Sequence, residues 1–129
     1  YLLQSKNEGM PLVTFDYLTT YITHILYASD ALIKDHPKTV ADFVAAWFDI
    51  VRFARAHKEE TIRLSMPGTK LPPDVAEKTY DIQTPALSLS GRFEPQALKA
   101  LAQSFIDLRL LDHVPPLSEL YTEKFLPPQ

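Results

Sequence analysis

The stretch from Pro37 to His57, PKTVADFVAAWFDIVRFARAH, limits the fold more than any other part of the chain. Val40, Phe43, Val44, Trp47, Ile50, Val51 and Ala54 recur at steps of three and four residues, the period that stacks side chains on one side of an α-helix. An apolar face of that length has to be buried. Lys38, Asp42, Asp49, Arg52 and Arg55 fall mostly off this stripe, and Ala41, Ala45, Ala46 and Ala56 favour the helix without losing side-chain entropy. Pro37 suits the first helical position, where φ is already set and no amide donor is required. At about 1.5 Å per residue such a helix runs roughly 30 Å, enough to cross a small domain.

The chain has 129 residues, and 46% of them are hydrophobic. That is enough for one domain with a core of its own. A net charge of −3, with Lys and Arg scattered, supplies no basic surface to displace counterions from a phosphate backbone, so nucleic acid is not an expected partner. The absence of cysteine removes disulfides, thiolate nucleophiles and zinc-thiolate sites together. No uninterrupted apolar run approaches the roughly 18 to 20 residues of a bilayer-crossing helix. The chain opens at Tyr1 with neither a Met nor a charged segment leading to an apolar run and a small-residue cleavage site. It reads equally as an interior start or as a processed N-terminus.

Gln4 to Gly9 form a polar, turn-forming cluster, expected as a loop or a fraying end. From Pro11 the sequence LVTF, and after Asp16 to Tyr21 the sequence ITHILYAS, are dense in β-branched and aromatic residues and predict two short strands. In the second, Ile22 to Ser29, both alternating sets hold apolar residues, as in a strand covered on both faces. Two strands are too few to be stable alone, so their partners lie in another chain or in a missing part of the sheet. Ser29 can cap a short helix from Asp30 to about Asp35. After the long helix, Lys58 to Ser65 keeps helical character until Met66, Pro67 and Gly68 stop it, and Pro73 to Gln83 gives about three turns ended by Pro85. Glu94 and Pro95 open another helix, with Ala97, Leu98, Leu101, Phe105, Leu108 and Leu111 at its period, and Pro116 starts a last one from Leu117 to about Phe125. The expected order is two short N-terminal strands followed by five or six helices, a mainly α chain without internal repeats.

Candidate chemistry is sparse. His24, His36, His57 and His113 lie far apart, with no second ligand at the spacing of a zinc site, so no metal is expected. No serine stands in a GxSxG elbow, and Gly9, Gly68 and Gly91 are too separated to cradle a phosphate, so neither hydrolysis nor a nucleotide cofactor is indicated. Asp42, Asp49, Glu59 and Glu60 read as solvating groups on helix surfaces, and Phe43, Trp47, Phe48 and Phe53 as core. One stretch stays open. Asp16, Tyr17, Leu18, Thr19, Thr20 and Tyr21 join the two expected strands, and they read either as polar groups orienting a ligand in a cleft or as a simple turn.

The junction ILYASDALIKDHPKTVADFVAAWFDIVRFARAH resembles the solute-binding proteins of ABC importers, in the group that binds nitrate, sulfonates, taurine and thiamine precursors. In that group a strand leads to a short helix, and a His-Pro pair then opens a long helix rich in Ala and aromatics. The matching residues here are Ile25 to Ser29, His36 and Pro37, and Val40 to Phe53. The later order is similar too, with Pro72, Pro73 and Asp74 before Val75 and Ala76, then Gly91 to Leu98, then Leu117 to Leu126. These motifs cover most of the chain and describe packing rather than chemistry.

The resemblance implies an α/β parent fold of two lobes, periplasmic-binding-protein-like, that closes on a small-molecule solute and signals to an ABC permease. Residues 1–129 would form a single C-terminal segment of such a protein, located in the periplasm or otherwise outside the cytoplasm. Residues 1–29 would supply a loop and crossing strands, and 30–129 the helical part packed on the first lobe. Asp16, Tyr17 and Tyr21 would lie near hinge and cleft as ligand-binding residues. No catalytic residue is implied, and the expected activity is binding rather than catalysis. Two alternatives stand beside it. Pyrimidine-forming synthases for the thiamine precursor share the parent fold, and a self-contained helical interaction domain remains if the likeness is accidental. A chain with unmatched strands and apolar helix faces is expected to associate as a homodimer, with exchange of elements as one way to do so.

Overall fold

The computed structural model describes residues 2–10, 12, 22 and 24–128. Seven helices stand in this part of the chain: α1 (Leu2–Ser5), α2 (Asp30–Asp35), α3 (Pro37–Ala56), α4 (Lys58–Thr69), α5 (Pro73–Ala86), α6 (Pro95–Asp107) and α7 (Leu117–Leu120). The protein is mainly helical, and no strand is present among the described residues.

The helix starts follow the side chains that can satisfy free amides or do without them. Ser29 sits in extended backbone, φ −69° and ψ 152°, and its hydroxyl accepts the Leu32 N–H at 3.2 Å, while Asp30 places a carboxylate in the first turn. His36, at φ −133° and ψ 51°, separates α2 from α3. Pro73 and Pro95 each open a helix near its first position. Such starts are written into single residues.

α2 and α3 end where expected, whereas the ends of α4, α5 and α6 depart from expectation, because backbone geometry rather than proline decides them. α4 runs past Met66, Pro67 and Gly68 to Thr69 and closes with Lys70 in the left-handed region at φ 54°, its N–H donating to the Met66 carbonyl. Pro67 and Pro85 both sit in the final turn of their helices, where each removes one backbone donor and the helix has almost finished. α5 accordingly reaches Ala86 instead of Gln83. α6 stops at Asp107, short of Leu111, through a Schellman turn. Arg109 takes φ 57° as its N–H donates to the Ile106 carbonyl at 2.9 Å, and Leu110 N–H donates to the Phe105 carbonyl at 2.8 Å. The same pair of bonds around Asn7, φ 56°, closes α1 in a stretch expected to be a loop or a fraying end.

The second expected strand does not form. Residue 22 and residues 24–29 adopt neither helix nor strand, and Ile25, Leu26 and Tyr27 are 59%, 42% and 92% exposed. A strand needs a ladder partner for its amides and carbonyls, and none stands among the described residues. Of the first expected strand only Leu12 is described, again in neither state, and the rest lies outside the described residues.

Two compact units make up the molecule, one built from Ala45–Ser90 with α1, the other from α2, the start of α3 through Val44, and Gly91 onward. Val51, Phe48, Ala54, Val75 and Ala76 are buried in the first, and Val40, Ala97 and Leu98 in the second. α3 does not bury the whole of its apolar stripe: Phe43 and Ile50 are 60% and 62% exposed. At 3.6 residues per turn, Val40, Val44, Phe48, Val51 and Ala54 share one side, whereas Phe43, Ala46, Ile50 and Phe53 lie about a third of a turn round. The helix carries two apolar faces and buries one.

Candidate functional site

Asp16, Tyr17 and Tyr21, the sequence-predicted ligand residues, lie outside the described residues. Among the described residues, no cluster of three His, Asp or Glu side chains is placed to hold a metal ion. The densest polar arrangement stands in the first unit, at the corner where α3 gives way to α4.

His57, at φ −131° and ψ 68°, breaks the helical run, so the last-turn carbonyls of α3 need donors from outside the helix. The Ala54 carbonyl accepts the Tyr80 hydroxyl at 2.5 Å and the Thr61 hydroxyl at 3.5 Å. One residue on, the Arg55 guanidinium donates to the carbonyls of Pro85 at 2.9 Å and Leu87 at 2.7 Å, meeting the negative end of α5 with a cation. Lys58 completes the corner. Its ammonium lies 2.7 Å from Asp81 and 3.1 Å from Glu77, and 5.7 Å from the centre of the Tyr80 ring. Hydrogen bonds to Asp81 and then Glu77 raise the Lys58 pKa above the usual lysine value. On α4 the neighbouring Arg63 holds the Glu60 carboxyl below the usual carboxylate range through a 2.5 Å ion pair.

Arg55, Tyr80, Asp81, Thr84 and Pro85 line an open hollow of about 290 Å³ beside this corner. Its polar groups are turned on the protein itself: the guanidinium caps a helix, the phenol donates to a carbonyl, and the carboxylate pairs with Lys58. No buried side-chain nitrogen or oxygen among the described residues lacks a partner. What the arrangement does is fasten α5 across the α3–α4 corner. The sequence alone places Arg55 off the apolar stripe of α3 and does not single out Tyr80. The spacing of Glu77, Tyr80, Asp81 and Thr84 marks one side of α5, but periodicity does not say what that side meets.

In the second unit the turn before α6 is tied to the end of the chain. Glu123 accepts the Phe93 N–H and an Arg92 guanidinium N–H, each at 2.9 Å, and the rings of Phe93 and Tyr121 stand 4.7 Å apart. Tyr121 is extended, φ −151° and ψ 164°, and residues 121–126 are not helical, so the last helix is a single turn rather than the expected run to about Phe125.

Large apolar residues left exposed include the run Ile25, Leu26 and Tyr27 and, on one side of α3, Ile50 and Phe53. No family model, no curated protein and no solved structure matches this chain.

Proposed function

We propose that this chain is the C-terminal segment of the solute-binding component of an ABC importer, which captures a small molecule between two lobes outside the cytoplasm and delivers it to the permease. The observation that carries this reading is the exposed run Ile25–Leu26–Tyr27 leading directly into Ser29-capped α2 and Pro37-opened α3. Three large apolar residues in sequence facing water call for a cover. In a two-lobed receptor that run is a strand crossing between lobes, and the sheet it joins supplies both the ladder partner and the cover. α3, α5 and α6 each open on proline, and this supports the reading. Asp16, Tyr17 and Tyr21 then lie at hinge and cleft, and the rest of the ligand contacts come from the first lobe.

Calorimetry with nitrate, alkyl sulfonates, bicarbonate and pyrimidines tests the reading. The 129-residue chain alone gives no tight binding to any of them, whereas the chain joined to a first lobe binds one. Full affinity from the chain alone contradicts it.

A second reading, a self-contained helical interaction domain, is favoured by one observation: Ile50 is 62% and Phe53 42% exposed on the same side of α3. In that reading the two side chains form the contact of a homodimer. Ile50→Lys leaves the fold intact, since the position is exposed, and light scattering then reports a monomer where the parent chain is a dimer. A parent chain that stays monomeric at high concentration removes the second reading.

A further inference from the structure

We draw no further inference here: the strongest candidate, the open hollow beside α5 lined by Arg55, Tyr80, Asp81, Thr84 and Pro85, belongs to the fastening already described, and its polar groups are engaged by the protein itself.

Discussion

Lys58 stands where one backbone break and two carboxylates meet, and its charge serves the corner rather than a ligand. The pairs with Asp81 and Glu77 raise its pKa in the folded chain, so the stabilisation they give is fully present below the ordinary lysine value and is lost as pH rises through the raised one. Lys58→Met therefore lowers the melting temperature at pH 7, and the difference from the parent chain narrows at strongly alkaline pH. Melting curves across that range check it, and a difference independent of pH contradicts the assigned role. The exposed position keeps the effect small. Glu60 has the opposite sign: its lowered pKa adds stability above the ordinary carboxylate value, lost as pH falls through the folded one. Little of this was legible beforehand. Charges on helix surfaces read as solvating groups, and the partners of Arg55 lie 30 and 32 residues away, beyond the reach of periodicity.

The beginnings of α2, α3, α5 and α6 were legible because single residues determine them, as Ser29, Pro37, Pro73 and Pro95 do. The endings of α4 and α6 were not, because a left-handed residue can close a helix without glycine or proline to announce it. Arg109 is the clearest case. It holds φ 57°, a region that costs a side chain with a Cβ about 1–2 kcal/mol, and the Schellman bonds of α6 depend on it. Glycine removes that cost but loses more backbone freedom on folding, so Arg109→Gly raises stability by a net of about 1 kcal/mol. Urea unfolding shows the gain as a higher midpoint with unchanged slope. A lower midpoint means that the Arg109 side chain contributes more than its backbone costs. The misread strand has a different origin. β-branched and aromatic density in Ile22 to Ser29 reports fitness for a covered, pleated surface, and that surface has to be provided by other residues. The extended Ser29 and the helix after it were visible in sequence; the ladder partner was not.

For the whole molecule, two compact helical units leave large apolar residues facing water, Ile25 and Tyr27 before α2 and Ile50 on α3. Asp16, Tyr17 and Tyr21 are ligand residues only through the resemblance, and in the proposed reading their role depends on a first lobe. In the proposed reading the run before α2 is a crossing strand awaiting its sheet. Amide hydrogen exchange over residues 24–29 is the decisive measurement. In the chain alone these amides exchange fast; joined to a first lobe they become protected to the level of the α3 core around Val51. Fast exchange in both means that the run is not a crossing strand.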